Sequence, residues 1–416
     1  MLKPILIATS ILLTLLFYFA YPAYQFFVYA GKAPFSPHVQ FMDIPEDSPT
    51  ASKTYLPEYQ VIGEQSLTLL QDTKQNINAP AISAAVAIDG KLVWAGATGW
   101  ADIKDEKPVT INSQFRIGST SKALTSITLA TMVDQGLIDI NKPINTYYSE
   151  LPNKNWQNLT SRQLASHTAG MPHYKENTDK LGLYKTMALQ TRYTDVQDAL
   201  EVFDSSDLLF QPGEQYSYSS LGTVLLSAVM QQAADKPFTQ LVNDSVIEPL
   251  NLTSTGAGYL LKNSDNLVNF YWNNKGAQSS VTEWRDVDLS HRLAGGGFVS
   301  TPSDLVKMGS AFLQEDFVSA STRDQFWTPE PLSDGTMPPH NYSVGWRVIQ
   351  HDISDELKNV TVVNHGGVSR GSQSWLMILP EHNMSVALNI NSNTKVFWDF
   401  ASVSMDIAKL FLLNGA

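Results

Sequence analysis

Ser119 and Lys122 form a Ser-x-x-Lys pair. On a helix, residues three apart share a face, so this spacing brings a lysine amine beside a serine hydroxyl. A serine at a helix start also gains free backbone N–H groups and a positive potential where negative charge develops during acyl transfer. Lys122 can act as a base only when neutral near pH 7, a state that burial favours by penalising the charged amine. The spacing alone is weak evidence. Ser392-Asn393-Thr394-Lys395 repeats it in a turn before the last helix, and an isolated match is more often a capping serine with a solvated lysine. Gly367-Val368-Ser369-Arg370-Gly371 offers a rival nucleophile, because Gly-x-Ser-x-Gly is the pattern of a strand–turn–helix elbow. Residues 374–379 alternate as a strand would, so the helix that this elbow needs is missing.

Metal chemistry finds little support. The eight histidines are scattered, His-Glu-x-x-His is absent, and His167 and His173 flank a Gly-Met-Pro turn where hydrogen bonding within the loop is the expectation. Gly295-Gly296-Gly297 lacks a phosphate-loop lysine and reads as close backbone packing before a helix capped by Thr301, Pro302 and Asp304. No cofactor is called for. With 28 Lys+Arg against 40 Asp+Glu, a formal charge of -12 and no basic run, nucleic acid is an unsuitable partner. The absence of cysteine excludes disulfides, thiolate metal sites, a cysteine nucleophile and a lipidated cysteine.

The elements that must position Ser119 follow from periodicity. Residues 58–76 read as a helix, and 82–88 and 92–97 as strands of a hairpin turning at Asp89-Gly90. Helical spacing then runs from Ser119 to a stop at Gly136, and residues up to about 290, including 223–233, have mostly helical or loop character. Strand character returns at 342–349, 360–363, 374–379 and 385–390, followed by a closing helix over 396–413. The first and last thirds thus predict one antiparallel sheet flanked by helices, an α/β fold, with the middle third inserted as an all-helical subdomain.

Lys3 precedes an uncharged run over residues 5–30, long enough to span a bilayer. Val28-Tyr29-Ala30 before Gly31 loosely fits a signal-peptide cleavage site. The length of the run, with Tyr18, Tyr21, Tyr24 and Tyr29, favours an uncleaved anchor. The expected division is a membrane segment over 1–31, a proline-containing stalk over 32–55 and a folded unit over 56–416. That unit is expected outside the cytoplasm, on the periplasmic side of a bacterial inner membrane.

Several segments converge on one family. Phe115-Arg116-Ile117-Gly118-Ser119-Thr120-Ser121-Lys122, the run from Arg162-Gln163-Leu164 to Gly170-Met171-Pro172, and Tyr216-Ser217-Tyr218-Ser219-Ser220 after Pro212-Gly213 occur in order. Ala294-Gly295-Gly296-Gly297-Phe298-Val299-Ser300-Thr301, Tyr342-Ser343-Val344-Gly345-Trp346 and His365-Gly366-Gly367 follow. Together they resemble the serine β-lactamase and penicillin-binding-protein superfamily, in its class C branch. Residues 162–174, 327–329 and 374–381 resemble the subgroup of mitochondrial serine β-lactamase-like proteins and their bacterial relatives.

The resemblance covers about residues 56–410 and implies a β-lactamase/transpeptidase-like fold with Ser119 as nucleophile and Lys122 as base. It makes Tyr218 the tyrosine that relays protons with Lys122, and Ser220 stands where the family has asparagine. His365-Gly366-Gly367 replaces the usual Lys-Thr-Gly, and Val368 N–H joins Ser119 N–H as the oxyanion hole. His365 in place of lysine implies weak recognition of a substrate carboxylate, improving as the imidazole is protonated, and hence poor β-lactam turnover. The implied activity is hydrolysis of amide or peptide bonds, with carboxylic esters as the alternative. A catalytically silent, membrane-tethered binding or self-assembling protein is the reading from another class.

Overall fold

The computed structural model describes residues 2–414. Seven strands form the main sheet: β1 (Thr50–Thr54), β2 (Ala81–Ile88), β3 (Lys91–Asp102), β4 (Arg347–His351), β5 (Val360–Ser369), β6 (Ser372–Leu379) and β7 (Met384–Ile390). They lie in the order β4-β5-β6-β7-β2-β3-β1, all neighbours antiparallel, with a two-residue strand at Lys107–Pro108 added beside β3. The first-third hairpin and the last-third strands therefore join where β7 meets β2.

Both faces of β2 are buried, and its alternation sorts side chains between two cores. Ile82, Ala84 and Val86 pack with α2 (Gln60–Asn76) and the C-terminal helices. Ala85 and Ala87 join the larger core built from the inserted region. That region contains α3 (Ser121–Asp134), α4 (Ser220–Ala234) and α5 (Pro302–Ala311), whose Thr301 cap accepts a hydrogen bond from Asp304 N. The insertion is mainly helical, but it also carries short strands in two three-stranded sheets.

Differences from the sequence reading have local causes. Strand 342–349 starts late, at Arg347, because Gly345 adopts a φ of +83° and packs where a Cβ would stand 2.6 Å from Ser126 Cβ. Strand 360–363 runs on to Ser369, since Gly366 and Gly367 serve close packing rather than a turn. The closing helix divides into Phe397–Ala401 and Val403–Asn414. Residues 32–55 do not behave as a free stalk: Met42–Asp43 pairs with Ser280–Val281, and β1 is an edge strand of the main sheet.

Among the described residues one helix, α1 (Leu2–Tyr29), is long and apolar enough to cross a membrane. Its end is tied to the folded unit by Trp272 Nε1, which donates to Tyr29 O at 3.0 Å, and by Tyr29 Oη, which donates to Glu283 O at 3.1 Å.

The contact between β5 and the turn before α3 has no spare room. A Cβ on Gly367 would stand 1.9 Å from Ile117 O and 2.9 Å from Ser119 N. Gly367→Ala is therefore expected to lower unfolding free energy by about 1–3 kcal/mol, the usual range for overpacking. Val368→Ala, at an exposed side chain, should change it little. Urea denaturation of both variants checks the difference.

Candidate functional site

Ser119 lies in a 3-10 turn, Gly118–Thr120, that runs directly into α3. Gly118 makes the turn possible: its φ is +51°, and a Cβ there would meet the Val368 backbone at 2.7 Å. Strand β5 is thereby pressed along the turn, with the Val368 backbone beside Gly118 and Gly367 against the Ser119 amide.

Lys122 is one turn further on and buried. Its Nζ is 2.7 Å from Gly295 O, 2.9 Å from Ser220 Oγ and 3.4 Å from Ser119 Oγ. Burial holds the amine well below the ordinary lysine range, and the positive charges of Arg292 and Arg347 act in the same direction. Ser220 is at the first position of α4, behind the Ser219 cap, so the second motif is positioned by a helix start as well. Tyr218 places its ring 4.8 Å from Lys122 Nζ. Burial pushes its phenol well up, against the effect of its hydrogen bond with Ser119.

His365 is not where a substrate-binding cation would be. The ring is fully buried, with Nε2 2.9 Å from Tyr342 Oη and Nδ1 2.9 Å from Gly366 O. Burial, then Arg347 and Lys122, hold it well below the ordinary histidine value, which disfavours the expected charge. Strand alternation explains the placement. Asn364, Gly366 and Val368 line the cleft beside Ser119, whereas His365 and Gly367 face the other way.

The cleft itself has a volume of about 580 Å³ and includes Ser119 and Tyr218. The sequence reading missed four of its polar residues, His340, Arg347, His351 and Asn364. Arg347 and Asn364 are directly paired across β4 and β5, which puts both side chains on one face. Arg347 is the only lysine or arginine lining the cleft among the described residues, and Asn364 Nδ2 is buried there without a hydrogen-bond partner. Ile349, Trp375, Phe397 and Trp398 form an apolar wall beside them. Register across the edge hairpin was the signal for Arg347, but the late start of β4 concealed it.

The rival motifs do not form sites of this kind. Ser369 ends β5, and β6 begins at Ser372, so Gly-x-Ser-x-Gly occupies a strand–turn–strand hairpin. Ser392 is buried while Lys395 is exposed, and no hydrogen bond joins them. His167 and His173 each accept a backbone N–H through Nδ1, from Ser219 at 3.3 Å and Ser220 at 3.1 Å. They brace the start of α4. Burial, with Lys122 and Arg292 nearby, holds His173 at about 3. Arg292 stacks 4.4 Å over Tyr174, and its Cδ lies 3.5 Å from where a Gly296 Cβ would be, beside the Ser119 turn.

The family model described as Beta-lactamase matches residues 68–403. The mitochondrial serine beta-lactamase-like protein LACTB of Mus musculus is 25% identical over 410 residues, covering 78% of this chain and 74% of the relative. A beta-lactamase of Yersinia enterocolitica is 29% identical over 376 residues, with 83% and 90% covered. Among solved structures, D-amino acid amidase from Ochrobactrum anthropi SV3, complexed with D-phenylalanine, shares the fold with a TM-score of 0.67 at 18% identity, covering 85% of this chain and 99% of the amidase. The motif order, the antiparallel sheet with its helical insertion, and a match over most of the length agree: the chain belongs to the β-lactamase family.

Proposed function

We propose that this protein is a serine hydrolase that forms an acyl-enzyme on Ser119, acting on amide or peptide bonds, with carboxylic esters as the second substrate class. The observation that carries the reading is the buried Lys122 amine, held against Ser119 with two cationic side chains acting on it. A neutral amine has two N–H groups and one lone pair. Gly295 O can only accept, and with the second N–H given to Ser220 Oγ the lone pair of the neutral amine is left for the Ser119 hydroxyl.

Ser119 Oγ attacks the substrate carbonyl as its proton passes to Lys122, with Tyr218 in the relay. The new C–O bond gives a tetrahedral oxyanion, facing the N–H groups of Ser119 and Val368. Collapse breaks the bond to the leaving group, which takes the proton. Water then repeats the sequence on the acyl-enzyme and releases the acid. Within the same cleft, Arg347 and Asn364 suit a negatively charged or carbonyl-rich end of the substrate. The wall of Ile349, Trp375, Phe397 and Trp398 suits a bulky apolar group. Helix α1 is proposed as an uncleaved anchor holding this unit outside the cytoplasm.

A fluorophosphonate probe is expected to label the protein stoichiometrically, and Ser119→Ala to abolish labelling and turnover without unfolding the chain. Ser369→Ala and Ser392→Ala should both still label. Retained labelling of Ser119→Ala would remove this nucleophile, and an inert parent protein would favour the silent binding protein.

Removing a neighbouring cation favours the charged amine, so Arg292→Gln should raise the pKa of Lys122. The acid limb of its kcat/KM profile should then move to higher pH, with Arg292→Lys restoring it. An unmoved limb would dissociate Arg292 from the base.

On the alkaline plateau, where Lys122 is neutral in both enzymes, Arg347→Gln should reduce kcat/KM for peptides carrying a free carboxylate by about ten- to a hundredfold. That is the range for one charge-assisted hydrogen bond. Matched neutral amides should be unaffected, and equal losses on both series would assign Arg347 to the fold instead.

A further inference from the structure

The two motifs that imitate a nucleophile site end on one cavity. Ser369 and Arg370 of the first and Lys395 of the second line a space of about 490 Å³, together with Lys32 at the end of α1 and Lys275. Val368 and Phe397 line both this space and the Ser119 cleft, so the two adjoin.

Its charge is opposite to that of the chain. Lys32, Lys275, Arg370 and Lys395 line it with no carboxylate among the described residues, although the protein carries 28 Lys+Arg against 40 Asp+Glu. None of the four takes part in an ion pair among the described residues. Burial weighs most on the Arg370 guanidinium, and Arg292, Arg285 and Arg116 add like charge, with Tyr174 acting against them. Like charges brought together this way are stabilised by an anion, and a phosphate oxygen is a strong acceptor for arginine and lysine.

Location narrows the source of that anion. Tyr29, the last residue of the apolar helix, lines the cavity, with its ring 4.9 Å from Trp284, while Phe35 stands 4.7 Å from Trp272. Phe27, Phe41, Val396 and Trp398 are exposed large apolar side chains. Tyrosine and tryptophan beside basic residues at a helix end are the composition suited to the headgroup level of a bilayer.

We propose that this cavity binds the headgroup of an anionic phospholipid, its phosphate held among Lys32, Lys275, Arg370 and Lys395, and thereby seats the Ser119 cleft on the membrane surface. The proposal rests on the reading of α1 as an anchor. Val368 and Phe397 then border both the headgroup and the Ser119 cleft.

The test uses full-length protein in neutral detergent micelles, titrated with short-chain phosphatidylglycerol, short-chain phosphatidylcholine and inorganic phosphate, and read by native mass spectrometry and tryptophan fluorescence. Phosphatidylglycerol is expected to bind at least about tenfold more tightly than phosphatidylcholine. The double variant Lys275→Ala/Lys395→Ala should weaken phosphatidylglycerol roughly thirtyfold, the combined effect of two cations near a lipid surface. Fluorophosphonate labelling of Ser119 should remain, as both lysines are exposed and lie outside the catalytic cleft. Equal affinity for the two lipids, or unchanged binding by the double variant, would overturn the site. Displacement of phosphatidylglycerol by an equal concentration of phosphate would overturn the lipid source in favour of a soluble anion. Alkaline carbonate extraction of the full chain from membranes judges the anchor separately: release would refute it, while lipid selectivity in micelles would still decide the cavity.

Discussion

The Lys122 amine is held out of water, and its surroundings set the positions of three separate parts of the chain. Ser119 comes from the turn before α3, Ser220 from the start of α4, and the Gly295 carbonyl from the glycine run ahead of α5. An unpaired ammonium in such a place is costly, so the amine must be neutral or the packing must open. All three parts belong to the inserted region, which shares one core with the sheet through Leu305 and Val306 of α5 and Ala85 and Ala87 of β2. The tight fit of Gly367 against Ile117 O closes the same enclosure from the strand side.

Much of this was legible because it depends on local pattern. The Ser119–Lys122 spacing, the Asp89-Gly90 turn and the apolar alternation of residues 82–88 each specify their geometry over a few residues. The hidden parts depend on pairing between distant residues. His365 was expected at the cleft because its motif position suggested a counterpart to lysine, whereas alternation along β5 turns it to Tyr342. Arg347 and Asn364 became visible as a pair only from their register across β4 and β5. The edge strand β1 was missed because Thr50–Thr54 is short, polar and mostly exposed, the signature of an edge and equally of a linker.

Two guanidinium groups of this acidic chain act on the lysine beside Ser119. Arg292 and Arg347 approach from opposite elements and act on the same lysine. Their fields favour a neutral amine and an anionic visitor together, so the features that would prepare the base would also select what reaches it. Among the described residues, no carboxylate lines either the Ser119 cleft or the basic cavity beside it.

Pairing of residues 42–43 and 50–54 with the folded unit changes what tethering can mean for this protein. A free segment over residues 30–49 could reach about 65–70 Å when extended. Here the leash is shortened at several points, from the Tyr24 hydroxyl on Pro34 O to the edge strand itself. A slack tether lets a catalytic unit sweep a hemisphere above its anchor, at a local concentration set by chain statistics. A leash stitched into the sheet removes that sweep. With α1 as the proposed anchor, the working volume contracts to a thin layer at one height, and encounter is governed by lateral diffusion of substrates within that layer.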